Sequence, residues 1–380
     1  MSGRQKTQTS GAYDIAAANR VVVKIGSALL VGADGTLHSN WLASLAADIK
    51  RFRIRGQDVI LVSSGAISLG RRYLGLKSGN LKLEEKQAAA AAGMVRLAHA
   101  YQEHLGEHEL TVAQILLTLA DTEDRRRYLN ARSTLMTLLG VGAVPLINEN
   151  DTVATDEIRF GDNDRLAARV AAMVSADLLI LLSDIGGFYT SDPARHADAV
   201  LMPEITAITP AIEAMADTST SSDSSGGMIT KLAAAKACMS AGCRMAIADG
   251  RIPNPLATVE KNGPGTWFIP QANPHSARKN WIAGSLQPVG AVIVDDGAAK
   301  ALADGRSLLP AGVAAIEGAF QRGDAVAVKL ADGRELGRGL VAYSAEDARR
   351  IMGHKTHEIE ALLGYRGRDE MIHRDDLAIL

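Results

Sequence analysis

The densest group of side chains that could do chemistry lies in the stretch I-N-E-N-D-T-V-A-T-D-E-I-R-F-G-D-N-D, residues 147–164. Amides and carboxylates crowd both of its ends: Asn148, Glu149, Asn150 and Asp151, then Asp162, Asn163 and Asp164. The stretch begins where an apolar, strand-like run ends and finishes where a helical pattern starts. Carboxylates in the first turn of a helix are stabilised by the helix dipole, but helix capping cannot account for all of these groups. The pattern therefore predicts a site that binds an amine or a metal-bound phosphate.

Two other strand-like runs end in residues that suit an anion. The run V-V-V-K-I at 21–25 places Lys24 near its end, with Gly26 just beyond, and the run at 58–63 leads into S-S-G-A at 63–66. Ligands of an α/β sheet bind beyond the carboxyl ends of its strands, and the backbone amides of small residues can cradle an anion there. Each pattern also has a simpler interpretation: Lys24 could be a solvated lysine, and 63–66 could be a tight turn between a strand and a helix. Neither pattern alone establishes an anion-binding site.

Two glycine-rich segments further along the chain have the same character. S-D-I-G-G-F-Y-T-S-D-P, residues 183–193, follows the apolar run at 178–183, and S-S-G-G-M-I-T-K, residues 224–231, precedes an alanine-rich helical pattern. Lys231 would lie about one turn into that helix, where glycine amides and a lysine can bind phosphate, although the local pattern favours an ordinary capped helix. The loop G-x-x-x-x-G-K-[ST] and a G-x-G-x-x-G motif after a strand are both absent from the sequence. A nucleotide would need a different binding device.

Alternating strand and helix patterns must position these segments. Apolar runs rich in β-branched residues suit strands buried on both faces, and they lie at 21–25, 58–63, 111–117, 143–148, 178–183 and 244–249. Helical patterns lie between them at 40–56, 84–105, 123–139 and 162–176. The alternation predicts an α/β fold with an open, mainly parallel sheet sandwiched by helices.

The composition limits the class of protein. The chain has 380 residues, a formal net charge of -2, 47% hydrophobic residues and two cysteines. This charge gives no general attraction to nucleic acid or anionic lipid, and two cysteines fit a reducing cytoplasm better than a disulfide framework. No apolar stretch approaches the roughly 20 residues of a membrane-spanning helix, and the N-terminus lacks the apolar core of a secretory signal. We therefore expect a soluble cytoplasmic protein with no membrane partner.

The pattern changes after about residue 270, where short strands and frequent turn signals replace the alternation. It predicts a flexible tail at 1–19, an α/β domain at 20–270, a connector at 271–287, a small β-rich domain at 288–366 and a C-terminal tail at 367–380. The small domain holds 10 Lys and Arg residues against 11 Asp and Glu residues. Because RNA-binding domains have a basic footprint, this composition disfavours RNA as a partner.

Taken together and in order, the motifs resemble those of the amino acid kinase family: V-V-K-x-G, S-G-A-I, L-N-A-R at 129–132, I-N-E-N-D-x-V-A-T, G-D-N-D, D-I-x-G-x-Y-T-x-D-P and G-G-M-x-T-K. Within that family, the resemblance is to enzymes that phosphorylate the γ-carboxylate of L-glutamate with ATP. Their product is γ-glutamyl phosphate, made in the first step of proline biosynthesis. The resemblance covers roughly residues 20–380, and residues 288–366 resemble a PUA module.

The resemblance implies the amino acid kinase fold and several ligands and partners. ATP would be the phosphoryl donor, and Mg²⁺ would be held mainly by the ATP phosphates rather than by metal-ligating residues of the protein. Proline would act as a feedback inhibitor. The protein would form a homo-oligomer, and its product would pass to a downstream γ-glutamyl phosphate reductase.

The resemblance also implies site residues, position by position. The ATP-binding residues would be Lys24, Ser183, Asp184, Ser225, Gly226, Gly227, Met228, Ile229, Thr230 and Lys231. L-Glutamate would be bound by Ser64, Asp151 and Asn163. The catalytic residues would be Lys24, Asp164 and Lys231, with Asp164 organising the two lysines and Lys231 stabilising the transferring phosphoryl group. One departure stands out, because Ser224 and Ser225 replace the glycine and threonine that usually precede Gly-Gly-Met in the family.

Elementary chemistry agrees with this interpretation. A γ-carboxylate has a pKa of ~4.3 and is ionised at pH 7, so the reaction needs no general base, and no histidine occurs among the implied site residues. The obstacle is repulsion between the carboxylate and the triphosphate, which two lysines and a magnesium ion would reduce. Two alternatives stay open. The first is another carboxylate kinase, acting on N-acetylglutamate or aspartate, and the second is an RNA-binding protein with a vestigial kinase half.

Overall fold

A computed structural model describes residues 13–76, 79, 81–153, 163–217, 227–261, 263–285 and 287–380. The chain divides into two compact units. The first unit comprises Met1–Glu123 and Asn130–Pro274, and the second comprises Asp124–Leu129 and His275–Leu380. Each unit contains its own β-sheet.

A single twisted layer of strands lies at the centre of the first unit. These strands are β1 (Arg20–Ile25), β2 (Asp58–Ser63), β3 (Val112–Leu117), β4 (Val144–Glu149), β5 (Leu178–Ser183), β6 (Glu204–Ile205), β7 (Arg244–Asp249) and β8 (Gly265–Phe268). Their order across the sheet is β3-β4-β2-β1-β5-β7-β8-β6, and neighbouring strands are parallel except for β7 and β8. The predicted α/β fold with a mainly parallel sheet is confirmed.

Helices connect these strands and cover the sheet. They are α1 (Ser27–Leu30), α2 (Ser39–Ile54), α3 (Ala66–Tyr73), α4 (Leu83–Gly106), α5 (Leu119–Glu123), α6 (Arg125–Gly140), α7 (Asn163–Met173), α8 (Pro210–Asp217), α9 (Met228–Ser240) and α10 (Pro255–Glu260). Apolar side chains of strands and helices share one core, in which Val21 and Val23 of β1 join Leu45 and Phe52 of α2. Within the described ranges, no helix is both long enough and apolar enough to span a lipid bilayer.

The carboxyl ends of β4, β2, β1, β5 and β7 lie side by side at one edge of the sheet, because these strands are parallel neighbours. In this register, Lys24 of β1 pairs with Val62 of β2 and with Leu181 of β5, and Ser183 of β5 pairs with Asp249 of β7. The polar segments that follow these strands therefore meet at a common edge, as expected for the ligand-binding side of such a sheet.

Helices α3 and α4 cross at very short range because each has a glycine at the crossing. A Cβ atom at Gly70 of α3 would lie 1.7 Å from the carbonyl oxygen of Ala89. A Cβ atom at Gly93 of α4 would likewise lie 1.7 Å from the carbonyl oxygen of Ala66. Since Ala66 is the first residue of α3, this backbone contact fixes the start of α3, two residues beyond Ser64.

The last part of the predicted N-terminal tail packs on the first unit. Ile15 and Ala18 are buried, and Gln57 Nε2 donates hydrogen bonds to their carbonyl oxygens at 2.9 and 2.6 Å. These contacts explain why residues 13–19 differ from the flexible tail that their polar composition predicts. Residues 1–12 lie outside the described residues, so the tail stays a prediction there.

The second unit contains the other sheet, of order β10-β9-β11-β12-β13. Its strands are β9 (Gly290–Val294), β10 (Val313–Gly318), β11 (Ala325–Leu330), β12 (Glu335–Leu340) and β13 (Leu377–Ile379). Its helices are α11 (Pro274–Ser285), α12 (Asp296–Ala303), α13 (Ala345–Ile351) and α14 (Ile359–Leu363), with 3₁₀ turns at Pro310–Gly312, Thr356–Glu358 and Arg374–Asp376. Only β9 and β11 pair in parallel among the described strands of this sheet.

Two segments of the second unit differ from their predicted description. The segment 271–287, predicted as a connector, contains helix α11, which is held by an ion pair of 2.5 Å between Arg278 Nη2 and Asp376 Oδ1. The segment 367–380, predicted as a tail, ends in β13, whose Leu377 is buried in the core of the unit. Both segments obtain their structure from distant partners, which a local pattern does not show. The predicted domain limits otherwise stay predictions.

Candidate active site

A cluster of buried charges lies at the carboxyl edge of the first sheet. Lys24 Nζ lies 2.7 Å from Asp164 Oδ1, and Lys231 Nζ lies 3.4 Å from Asp164 Oδ2. The exposed fractions of Lys24, Asp164 and Lys231 are only 8%, 1% and 6%. Both ammonium groups contact this one carboxylate, in a place where water has little access. Such a cluster suits an anionic group brought by a ligand.

A hydroxyl and the two lysines hold the Asp164 carboxylate in its ionised form. The hydroxyl of Thr230 lies 3.0 Å from Asp164 Oδ2 and 2.8 Å from the carbonyl oxygen of Gly227. Burial raises the pKa of Asp164, but the charges of Lys24 and Lys231, with hydrogen bonds from Lys24 and Thr230, outweigh burial and hold that pKa below its usual range. The carboxylate therefore stays charged near neutral pH and keeps both ammonium groups in place.

Three separate elements bring these charges together. Lys24 lies on β1, Asp164 lies in the first turn of α7, and Lys231 lies in the first turn of α9, whose N-cap is Gly227. The first turn of a helix carries a partial positive charge, so α9 adds to the attraction for an anion. In the rest of the segment 225–231, Met228 is buried and Ile229 is 46% exposed. Ser225 and Gly226 lie outside the described residues.

A second cluster, made of amides and hydroxyls, adjoins the charged one. Asn163 Nδ2 donates hydrogen bonds to the carbonyl oxygen of Ser63 at 2.8 Å, to Ser64 Oγ at 2.8 Å and to Asn148 Oδ1 at 3.2 Å. Asn163 directly precedes Asp164, so the start of α7 contributes to both clusters. The loop after β2, the end of β4 and the start of α7 are thereby tied together beside the lysines.

Asp151 lies in the turn just beyond β4 and is 8% exposed. Burial raises its pKa to about 6. A buried carboxylate with a raised pKa gains from a cationic partner, because the partner's charge compensates for the lost hydration. Asp151 is therefore suited to bind an ammonium group of a ligand.

Ser183 and Asp184 lie on the other side of β1, at the end of β5. The Ser183 hydroxyl donates a hydrogen bond of 3.1 Å to Asp184 Oδ1, and the side chain of Asp184 is exposed. Ser64 and Asp151 follow β2 and β4, whereas Ser183 and Asp184 follow β5. The two lysines thus lie between two sets of polar residues, an arrangement that can hold two ligands on either side of a phosphoryl group.

Comparison with known proteins decides the family. The model of the amino acid kinase family matches residues 19–249, and the model of the PUA domain matches residues 290–363. The chain belongs to the amino acid kinase family. The resemblance seen in the motifs, both to this family and to a PUA module, is confirmed.

Similar curated members of the amino acid kinase family carry one name. Glutamate 5-kinase from Paramagnetospirillum magneticum is 63% identical over 96% of this chain and 99% of its own length. Glutamate 5-kinase from Rhodospirillum rubrum is 57% identical over 94% of this chain and 96% of its own. Glutamate 5-kinase from Agrobacterium fabrum is 57% identical over 96% of this chain and 94% of its own.

Two further residues, Asn148 and Tyr101, contact the polar cluster of this site, although the sequence predicted no role for either of them. Asn148 stands in the polar segment after β4, but only the structure shows its side chain accepting a hydrogen bond from Asn163. Tyr101 of α4 is fully buried, with its hydroxyl 3.1 Å from Ser63 Oγ. The crowding of polar residues at 148–151 indicated that Asn148 lies near a binding site, but not which residue it contacts. Tyr101 lies 38 positions from Ser63 in a regular helical pattern that gave no such signal.

The described part of this site offers no cluster of metal-ligating side chains. Among the described residues, no group of three or more His, Cys, Asp and Glu side chains could hold a metal ion. Both oxygens of Asp164 face ammonium groups. In phosphoryl-transfer enzymes, Mg²⁺ is usually bound through the phosphates of the nucleotide.

Proposed function

We infer that this amino acid kinase transfers the terminal phosphoryl group of ATP to the γ-carboxylate of L-glutamate. The product is γ-glutamyl phosphate, and the reaction is the first step of proline biosynthesis. The observation that carries the inference is the pair of buried lysines held on Asp164 between two sets of polar residues. The high identity to glutamate 5-kinases over nearly the whole chain supports it.

The chemistry needs charge compensation rather than proton transfer. At neutral pH the γ-carboxylate is an anion that can attack the phosphorus atom directly. Its approach to the triphosphate is opposed by like charge, and negative charge spreads over the phosphoryl oxygens in the transition state. We propose that Lys24 and Lys231 bind those oxygens, and that Asp164 keeps the two ammonium groups at a fixed separation.

On the acceptor side, we propose that Ser64, Asp151 and Asn163 bind L-glutamate. Asp151 would pair with the α-ammonium group, because its buried carboxylate lacks hydration. The hydroxyl of Ser64 would donate to a carboxylate of the substrate, and Asn163, whose Nδ2 donates to Ser64 Oγ, would orient that hydroxyl. Their mutual hydrogen bond of 2.8 Å supports a joint role for these two side chains.

On the donor side, we propose that ATP lies along β1, β5 and the start of α9. The binding residues would be Lys24, Ser183, Asp184, Ser225, Gly226, Gly227, Met228, Ile229, Thr230 and Lys231. Mg²⁺ would bind to the phosphates and neutralise part of their charge. The start of α9 at Met228 supports this proposal, since a helix N-terminus favours phosphate.

A hydroxamate assay tests the proposed function. The protein would be incubated with ATP, Mg²⁺, hydroxylamine and one of L-glutamate, N-acetyl-L-glutamate or L-aspartate, because hydroxylamine traps acyl phosphates. We expect ATP-dependent product with L-glutamate and little with the other two. Faster turnover of N-acetyl-L-glutamate or L-aspartate would establish the alternative kinase. Absence of ATP turnover together with salt-sensitive RNA binding would establish the vestigial kinase.

Changing Asp151 to asparagine should raise the KM for L-glutamate on the order of 30-fold or more, because a buried charge pair is lost. In the unchanged enzyme, this KM should also rise as pH falls below about 6, since Asp151 must then lose a proton to pair with the ammonium group. The variant should lack that dependence. Initial rates from pH 5 to 8 measure both effects, and a raised ATP KM with an unchanged glutamate KM would reverse the assignment.

Proline should inhibit the enzyme in competition with L-glutamate. It shares an α-carboxylate and a cationic nitrogen with glutamate, so it fits the same groups around Ser64, Asp151 and Asn163. Raising the glutamate concentration should therefore raise the proline concentration needed for half inhibition in proportion. Rates measured over a grid of both concentrations check this, and inhibition that is indifferent to glutamate would place proline at another site.

We also propose a cellular setting for this activity. The protein would be a cytoplasmic homo-oligomer that passes its reactive acyl phosphate to a γ-glutamyl phosphate reductase. Cys238 and Cys243 are free, buried thiols, which supports a reducing compartment. RNA is not proposed as a partner, because residues 288–366 lack a basic excess.

A further inference from the structure

The turn after β7 presents a second charged pair at the same edge of the sheet. Arg251 Nη2 lies 2.6 Å from Asp249 Oδ2, and Arg251 Nε lies 2.9 Å from Asp249 Oδ1. The backbone N–H of Arg251 also donates to Asp249 Oδ1, at 2.9 Å. The carboxylate therefore holds the planar guanidinium in one orientation. The Arg251 side chain is nevertheless 63% exposed, so its plane is available to a ligand.

Helix α2 anchors the backbone of the turn that carries Asp249 and Arg251. Trp41 Nε1 donates a buried hydrogen bond of 2.6 Å to the carbonyl oxygen of Gly250, the residue before Arg251. Asp48 is fully buried, and its Oδ2 accepts a hydrogen bond of 2.9 Å from the backbone N–H of Leu256. Since both ends of this turn are tied to one helix, Arg251 is presented from a rigid support rather than from a free loop.

The position of the turn in the sheet indicates which part of a ligand it meets. In the order of the sheet, β2 and β4 lie on one side of β1, and β5 and β7 lie on the other. The proposed glutamate residues follow β2 and β4, and the phosphoryl group would lie at the end of β1. Neighbouring strands are about 4.8 Å apart, so β7 lies roughly 10 Å from β1. On the proposed function, on which this inference rests, that is the direction in which the nucleoside part of ATP extends from its terminal phosphate.

The electrostatic surroundings of Arg251 agree with that position. Its pKa is raised, chiefly by the hydrogen bond to Asp249, and the carboxylate of Asp184 and the phenol of Tyr189 contribute to the rise. Ser183, the residue before Asp184, pairs with Asp249 in the sheet, so the turn that carries Arg251 adjoins the proposed ATP site. The pair is separate from the cluster around Asp164.

We propose that the guanidinium plane of Arg251 is the platform on which the purine base of ATP stacks, with Asp249 as the residue that positions it. Arginine planes stack well on aromatic rings. A direct contact to phosphate is less favoured, because Asp249 already offsets the charge of Arg251 and because the two lysines lie at the phosphoryl end. Arg251 would thus determine the preference for a purine nucleotide.

Two variants, Arg251→Ala and Arg251→Lys, separate stacking from charge. Lysine keeps the charge but lacks the plane, so we expect both variants to raise the ATP KM and the ADP dissociation constant about tenfold. The kcat and the glutamate KM should stay unchanged, because stacking is equal in the ground and transition states. Affinity for inorganic tripolyphosphate, which has no base, should also stay unchanged. ADP binding would be measured by calorimetry on the full chain.

A matched control is Arg374→Ala, which removes an arginine that is 67% exposed beside Asp375 in the second unit and should leave ADP binding unchanged. Wild-type affinity in the lysine variant would show a charge contact and overturn the stacking proposal, as would unchanged ADP affinity in both variants. An Asp249→Asn variant should weaken ADP binding less than the loss of Arg251 does, and a larger effect would assign the contact to Asp249. Calorimetry needs no glutamate, so ADP binding without acyl phosphate formation would refute the proposed function alone.

Discussion

Changing Lys231 to alanine should lower kcat on the order of 10²-fold or more, with little change in the KM for L-glutamate. The ammonium group lies in the first turn of α9 and is 6% exposed, so it acts where water does not screen its charge. Its interaction should strengthen as negative charge develops on the moving phosphoryl oxygens. Rates of hydroxamate formation at saturating ATP and varied glutamate measure this.

Lys236→Ala is the matched control for this experiment. Lys236 lies on the same helix, but it is half-exposed and forms an ion pair of 2.7 Å with Glu213. We expect its replacement to leave kcat within about twofold, because exposed ion pairs contribute little. Full activity of the Lys231→Ala enzyme would remove Lys231 from the mechanism, whereas equal losses in both variants would indicate a general defect of α9.

Changing Asp164 to asparagine should reduce both activity and stability. The substitution keeps the shape of the side chain but leaves two ammonium groups in a buried place without their shared anion. Removing one partner of a buried ion pair costs roughly 3–5 kcal/mol, so we expect the free energy of unfolding to fall by about that amount. The kcat should fall on the order of 10²-fold, since the lysines lose their fixed separation. Urea unfolding and hydroxamate rates measure the two effects.

ATP gives a further check on Asp164. Its triphosphate would supply the missing negative charge, so ATP should stabilise the asparagine variant by more than it stabilises the unchanged protein. Asp58→Asn is the matched control, because Asp58 also contacts two cations, Arg20 at 3.0 Å and Arg53 at 3.2 Å, at the opposite end of the sheet. Asp58 is 27% exposed, so its replacement should cost less. An asparagine variant of Asp164 that unfolds like the unchanged protein would contradict this account.

Those features that depend on a short run of residues could be predicted from the sequence. The run V-V-V-K-I forms β1, because consecutive apolar side chains suit a strand covered on both faces. Asn163 and Asp164 begin α7, where short polar side chains suit a helix start. A strand end and a helix start in a parallel sheet share one edge, so the place of the site followed from the same patterns.

The remaining features depend on partners that are far apart in the sequence. The turn that carries Arg251 is tied to Trp41, a residue 209 positions before Gly250. Helix α11 lies where Pro, Asn and Ser suggested a connector, and its Arg278 binds Asp376, 98 positions away. Polar composition describes how a segment behaves in water. It does not reveal an ion pair or a hydrogen bond that only the folded chain can bring together.

The contact between Gly70 and Gly93 has a mechanical consequence. Where two helices touch through their backbones, no side-chain rotamer is left to absorb a displacement, so α3 cannot shift without carrying α4 with it. Helix α4 is 24 residues long, so a displacement of α3 would require the movement of a large part of the unit. Ser64 lies two residues before α3, so its backbone is held by this rigid pair of helices. We therefore expect the proposed acceptor side around Ser64 to keep its spacing when a ligand binds, so that it distinguishes ligands by their size.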